Sequence, residues 1–366
     1  MWLETECGYP DSRANQGVTF PGYAGVWPNH CPGDAMKVAV FSTQQHDREH
    51  LIPALVAAEM VPVVYAERLT AETAHLARGA DAVCVFTNDD LHRRVIDGLA
   101  DQGIHVIALR CSGYDNLDVA RARERGVRVG RVPAYSPNAI AEHAVALLMT
   151  LNRRVHRAWE RTRRGDFRLD HLTGFDLVGR TVGVVGTGRI GQALARIMLG
   201  FGCRVLAHDP YPNAELQAAG VEYQDLDTLL AASSVVSLSC PMTPENRHMI
   251  NADTLARMPR GAFLINTARG ALVDTDAAEV ALDSGQLGGF ALDVYEAEAG
   301  LFFHDWSLAG LPDRRLARLM QRDDVLVTGH QAFLTHEALT NIADTTVANL
   351  TTLHQDPDAQ PEGRVV

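Results

Sequence analysis

An apolar run, Val182 to Val185, leads directly into Gly186-Thr187-Gly188-Arg189-Ile190-Gly191, where a helical pattern begins. A second strand-like run, Arg204 to His208, then closes on Asp209. Strand, glycine turn, helix, strand and terminal acid stand in the order and separation of a dinucleotide-binding βαβ unit. Each part has a physical task. Gly186 makes the tight turn, Gly188 lets a pyrophosphate approach the backbone, and Gly191 lets the helix pack close to its strand. The pyrophosphate then sits on the exposed N–H groups of the helix N-terminus. Asp209 accepts hydrogen bonds from a ribose diol and repels a 2′-phosphate, so the predicted cofactor is NAD rather than NADP. A glycine turn of purely structural use competes with the bare motif, but the complete unit favours the binding site.

The 366 residues exceed one ordinary domain, and two are expected. From Met36 onward, short apolar strands alternate with helical stretches. Strands are predicted at 37–42, 61–66, 82–87, 105–110 and 127–132, with helices such as His50 to Met60 and Asp90 to Ala100 between them. That alternation defines an α/β fold with a parallel sheet. Ser136-Pro137 reads as an N-cap and first helical residue of a helix running past Arg154, long enough to connect domains and pack on another subunit. A second set of strands is predicted at 181–186, 203–208, 235–240, 262–267, 288–293 and 325–330, with helices opening at Gly191, Asp227, Asn251 and Thr275. The last helix, 336–354, has no further strand to feed and is expected to return to the first domain, making that domain discontinuous.

Composition narrows the partners. Hydrophobic residues are 46% and charged residues 21%, as in a globular protein with a large core. A net charge of −12 argues against nucleic acid or an anionic membrane as partner, and no apolar run approaches a membrane span. The basic stretch Arg153 to Arg157, continued by Arg161, Arg163 and Arg164, reads as a solvated or subunit-facing surface. Six cysteines show neither a C-x-x-C pair nor metal-ligand spacing, which predicts reduced thiols and a cytoplasmic setting. Residues 1–35 lack the features of a signal peptide. They read as a disordered extension, or Met36 is the true start.

Three further groups fall at predicted strand ends, where open α/β sheets bind ligands. Asn266-Thr267-Ala268-Arg269-Gly270 follows Phe263 to Ile265, Asp293 to Glu298 follows Phe290 to Leu292, and Gly329-His330 ends Val325 to Thr328. Arginine binds a carboxylate bidentately, histidine passes a proton near neutral pH, and a carboxylate beside it fixes the imidazole. Such a set suits redox chemistry on a carbonyl that bears a carboxylate, with no metal required.

Together with Leu109 to Asn116, Val132 to Pro137, Leu301-Phe302-Phe303 and Gly329 to Thr335, these segments resemble the D-isomer-specific 2-hydroxyacid dehydrogenase family. The resemblance covers essentially everything after Met36, in the family's order. It implies a Rossmann NAD-binding domain, 136–332, inserted into a flavodoxin-like catalytic domain formed by 36–135 and 333–366. It further implies His330 as acid/base, Glu298 as its partner and Arg269 as the substrate-binding arginine, with Ser112 and Gly113 on the loop that holds the substrate carboxylate. Glu296 competes with Glu298 and is read as the alternative surface ion-pair residue. Arg189 and Ile190 match cofactor-phosphate contacts and Asp209 the adenosine ribose contact, while Cys240, Pro241, Asn246, Thr267, Ala268 and Asp293 match other cofactor positions, Asp293 near the nicotinamide carboxamide. Cys111 stands where relatives often carry Asn. Phe86, Tyr135 and Phe333 are read as the wall around the substrate side chain, with core aromatics as the competing reading, and His143 as a satisfied core histidine. The implied reaction is NADH-dependent reduction of a small 2-oxo acid, pyruvate to D-lactate first, by a homo-oligomer (dimer or tetramer). Glyoxylate, hydroxypyruvate or phenylpyruvate as substrate, and an NAD-sensing corepressor, are the alternatives. Phosphoglycerate is disfavoured because no regulatory domain is recognised toward residue 366.

Overall fold

The computed structural model describes residues 35–366, so the expected extension lies, but for its last residue, outside the described residues. In the first half, β1 (Lys37–Val40), β2 (Val61–Val64), β3 (Ala82–Val85), β4 (Val106–Leu109) and β5 (Arg128–Arg131) pair in parallel, in the order β2-β1-β3-β4-β5. This is the flavodoxin-like order. β3 and β4 are buried at every residue, as uninterrupted apolar runs must be in a sheet covered on both faces. β2, which carries Pro62 and alternates in exposure, is an edge.

The second sheet holds β6 (Thr181–Val185), β7 (Arg204–His208), β8 (Glu222–Tyr223), β9 (Val235–Leu238), β10 (Ala262–Asn266), β11 (Leu287–Leu292) and β12 (Val325–Val327), all parallel. Their order is β12-β11-β10-β9-β6-β7-β8. β6 and β9 are therefore neighbours with the winding reversed between them, and the crevice at their carboxyl ends is where such sheets take ligands. The fold is two parallel-sheet α/β domains, as the sequence predicts. β8, a two-residue edge strand, has too little pattern to be foreseen.

Most predicted strands end one to three residues early, because the chain leaves the sheet to form the turns that carry functional groups. Asp293 lies one residue beyond β11, and His330 three beyond β12. The long helix is also corrected. Ser136 caps it, its Oγ accepting from the Ala139 N–H at 3.2 Å, but it stops at Arg153. Arg154 is left-handed (φ +53°), and a separate helix, Val155–Arg163, follows. The helix of the glycine turn starts at Arg189 with Gly188 as its cap, two residues before Gly191, and Asp225 rather than Asp227 caps its helix.

The last helix, His336–Gln355, is capped by Thr335 and packs on β4, β5 and the helix Leu51–Ala57. Its Leu350 and Leu353 lie in the core of the first sheet. The tail then runs antiparallel to β5, Val129 exchanging backbone hydrogen bonds with Val365 and Val366. Among the described residues no helix is long and apolar enough to cross a membrane.

Candidate active site

A cavity of about 330 Å³ opens between the strand ends of the two sheets and is lined from both. His330 enters it from the turn after β12, in the left-handed region (φ +55°), with its N–H donating to the Asp293 carbonyl at 2.8 Å. The Asp293 carboxylate is fully buried and braces the same turn. Its Oδ1 accepts from Thr328 Oγ1 at 2.6 Å and from the Gln331 N–H at 2.9 Å, and its Oδ2 from the Ala332 N–H at 2.9 Å. His143, read from sequence as a core histidine, reaches the same Oδ1 at 3.4 Å. Burial alone would push this carboxyl up; the hydrogen bonds from His143, Thr328 and the two amides outweigh it and hold it below its ordinary range.

The His330 Nδ1 lies 2.9 Å from Glu298 Oε1. A carboxylate only accepts, so this partner assigns the proton to Nδ1 and leaves Nε2 for the cleft. Glu298 is itself fixed, its Oε2 accepting from the Tyr295 N–H at 2.9 Å. Glu296 turns elsewhere and pairs with His248 and Arg315, each at 3.0 Å.

Arg269 is placed by the end of β10. The buried Asn266 side chain donates to the Arg269 carbonyl at 2.9 Å and accepts from the Ala268 N–H at 3.1 Å, shaping the loop. The guanidinium donates to the Ala268 carbonyl at 2.8 Å and to Asp115 Oδ2 at 3.1 Å. Its Nη2 lies so close to Gly113 that a Cβ there would meet it at 2.2 Å. Arg131, at the end of β5, holds this loop through the Ser112 carbonyl at 2.7 Å. Gly270 is equally constrained, since a Cβ would fall 2.1 Å from the Tyr295 carbonyl carbon and 2.2 Å from the Glu296 nitrogen.

Phe86, Tyr135 and Phe333 come together as read from sequence, with ring centroids 5.8 Å apart for Phe86 and Phe333 and 6.4 Å for Tyr135 and Phe333. Burial pushes the Tyr135 phenol up to about 12, so it stays protonated at neutral pH. Sequence reasoning missed what stands behind this wall. His46 lies 5.7 Å from the Phe333 ring, and burial pushes its imidazole down. Arg110, 1% exposed, sits 5.1 Å from the Phe86 ring and binds Asp47 through Nε at 2.8 Å and Nη2 at 3.1 Å. A charged residue directly after the apolar β4 was the available signal, since a buried arginine must be paired.

The glycine turn fits a dinucleotide. A Cβ at Gly191 would fall 1.9 Å from the Gly186 carbonyl oxygen, so helix and turn are in direct backbone contact. Gly186 (φ +92°) requires the left-handed region, and at Gly188 nothing lies within 4 Å, leaving open space at the helix start. Asp209 accepts from the Thr187 N–H at 2.6 Å and the Tyr211 N–H at 2.8 Å, fixing it beside the turn. Arg189, Ile190, Cys240, Pro241, Thr267 and Ala268 line the cleft. Thr267 Oγ1 and Ser239 Oγ there are buried with no hydrogen-bond partner among the described residues, which suits the polar edges of a bound cofactor. Asn246 is apart from the cavity lining and holds its own turn, accepting from the Thr243 N–H at 2.7 Å and donating to the Pro241 carbonyl at 2.8 Å.

Comparison with known proteins agrees with this geometry. Residues 145–332 match the sequence profile of the D-isomer specific 2-hydroxyacid dehydrogenase, NAD binding domain. D-lactate dehydrogenase of Escherichia coli (strain K12) is 49% identical over 320 residues, spanning 87% of this chain and 97% of that protein. An apo-structure of D-lactate dehydrogenase from Escherichia coli superposes with a TM-score of 0.82 at 46% identity, covering 90% of this chain and 100% of that one. A structure of D-lactate dehydrogenase from Aquifex aeolicus complexed with NAD and lactic acid gives 0.77 at 32% identity, covering 87% and 95%. The chain belongs to the D-isomer-specific 2-hydroxyacid dehydrogenase family. It is an NAD-dependent oxidoreductase of 2-oxo and D-2-hydroxy acids.

Proposed function

We propose that the protein reduces pyruvate to D-lactate with NADH, and catalyses the reverse oxidation. The observation that carries this reading is the His330–Glu298 pair at 2.9 Å on the same cleft as Arg269 and Gly113. Arg269 Nη2 and the amides of the Ser112–Gly113 loop take the substrate carboxylate, which turns C2 toward the cofactor side of the cleft. The bound cofactor supplies the hydride that C2 receives. As the carbonyl electron pair moves onto oxygen, protonated His330 donates from Nε2, and Glu298 stabilises the imidazolium and its orientation. Asp293, Thr328 and His143 keep the turn beneath it rigid. The Phe86, Tyr135 and Phe333 rings close around a methyl-sized group, which favours pyruvate over bulkier 2-oxo acids.

The catalytic unit is assigned to 36–135 with 333–366, and the NAD-binding unit to 136–332. The packing of His336–Gln355 on the first sheet supports that division. The helix Val155–Arg163 buries none of its residues and exposes Val155 and Trp159, which supports a homo-oligomer formed through this face. Unbridged Cys84, Cys111, Cys203 and Cys240 suit a reducing, cytoplasmic setting.

The test is NADH oxidation with pyruvate, with the product's chirality read on a chiral column. Wild type is expected to yield D-lactate, and His330→Ala to keep NADH binding while losing about a hundredfold or more in kcat. L-lactate, or wild-type turnover by the variant, would refute the assignment.

A further inference from the structure

The segment between β11 and β12 belongs to the second half of the chain, and its anchors stay there. Leu301 is buried in that half's core and Phe302 packs against it. The N–H groups of both donate to the Glu298 carbonyl, at 2.9 and 3.1 Å, and Trp306 Nε1 donates to the Leu301 carbonyl at 2.9 Å. Phe303, the next residue, does the opposite. Its backbone is left-handed (φ +66°), a conformation that bulky side chains rarely adopt, and its half-buried ring packs against the core of the first half. There it stands edge-on to Phe86, centroids 5.2 Å apart at 72°, and tilted over the His330 ring at 6.1 Å and 35°. One ring anchored on the proton-transfer loop thus backs the substrate wall across the cleft.

We propose that Phe303 is a positioning residue that sets substrate size by fixing Phe86 against the closed cleft. A larger group on the substrate's C3 must push Phe86 outward, and Phe303 blocks that movement while it steadies the face of His330. The left-handed backbone turns the chain at this residue, and the ring it carries lies across the cleft against Phe86. The inference rests on the dehydrogenase reading and adds to it a residue outside the pocket lining.

The informative variant is Phe303→Gly, because glycine keeps the left-handed turn without strain and removes only the ring. Steady-state kinetics with pyruvate and phenylpyruvate are compared, with NADH affinity followed by fluorescence. NADH affinity is expected to stay within about twofold, while the phenylpyruvate-to-pyruvate ratio of kcat/KM rises roughly tenfold or more, the scale of apolar-pocket discrimination. Phe303→Leu, which keeps most of the apolar volume, is expected to shift the ratio less than glycine but at least about threefold, and it carries the test should the glycine variant fail to fold. An unchanged ratio, or equal losses on both substrates, would overturn the role of Phe303. Wild-type inactivity on every 2-oxo acid would instead overturn the dehydrogenase reading.

Discussion

Replacing Gly113 by alanine tests whether the substrate arginine has to sit where it does. The Gly113 backbone lies outside the left-handed region, so alanine fits the chain, and the loop amide survives the change. The new methyl would meet Arg269 Nη2 at 2.2 Å, and ordinary contact begins at 3.4 Å. The guanidinium must therefore retreat by about 1.2 Å, and it can do so cheaply because it is the end of a flexible side chain. A misplacement of about 1 Å in a positioning group is able to cost on the order of a hundredfold in rate. A loss of about 100-fold in kcat/KM for pyruvate corresponds to about 2.7 kcal/mol. The assay is NADH oxidation at several pyruvate concentrations, beside a melting curve and an NADH titration. The expected outcome is that hundredfold loss with melting temperature and NADH affinity unchanged. Wild-type kcat/KM would refute the idea that Arg269 acts from its seat against Gly113.

Three further outcomes follow from contacts elsewhere. Gly191→Ala forces its methyl onto the Gly186 carbonyl at 1.9 Å and should weaken NADH binding at least tenfold in a fluorescence titration, or prevent folding; unchanged affinity would contradict the close packing of the turn. Asp293 has a native pKa held below its unfolded value of about 3.9, so its stabilising contribution is complete above that pH and fades as pH falls through the native value. Asp293→Asn should thus lower Tm at pH 7, with the gap to wild type narrowing below about pH 4; a gap independent of pH would count against the assignment. Burial pushes the Cys84 and Cys111 thiols up to about 12, so peptide mapping should show both nearly unlabelled by iodoacetamide at pH 8 in native protein and labelled after denaturation.

What could be read from sequence and what could not divide along physical lines. Strands buried on both faces are uninterrupted apolar runs, so β3, β4, β9 and β10 were legible, as were the ends of β10, β11 and β12 that carry Asn266, Asp293 and His330. The NAD turn was legible because Gly186 and Gly191 are demanded by backbone contact and Gly188 leaves the helix start open. Resemblance supplied the pairing of His330 with Glu298 rather than Glu296, and the reason appears only in three dimensions, where His248 and Arg315 claim Glu296. Contacts between distant segments left no local trace. His143 reaches Asp293 from a position 150 residues earlier in the chain, and Arg110 finds Asp47 on the short helix Gln45–Glu49, 63 residues before it. The break at Arg154 was invisible for a different reason, since the helical pattern continues on both sides of a single left-handed residue.

Gly270 has a consequence for how this enzyme commits to reaction. There is no room for a methyl between it and the Tyr295–Glu296 backbone, so the turn that follows Arg269 and the loop that carries Glu298 pack backbone to backbone. The rings proposed as the substrate wall, and the Ser112–Gly113 loop against Arg269, belong mainly to the opposite half of the chain. On the proposed roles, neither half alone holds a complete reaction centre. On that reading, a cleft held apart would take up and release ligands without spending a proton or a hydride on water, and the chemistry would wait until both halves agree on what lies between them.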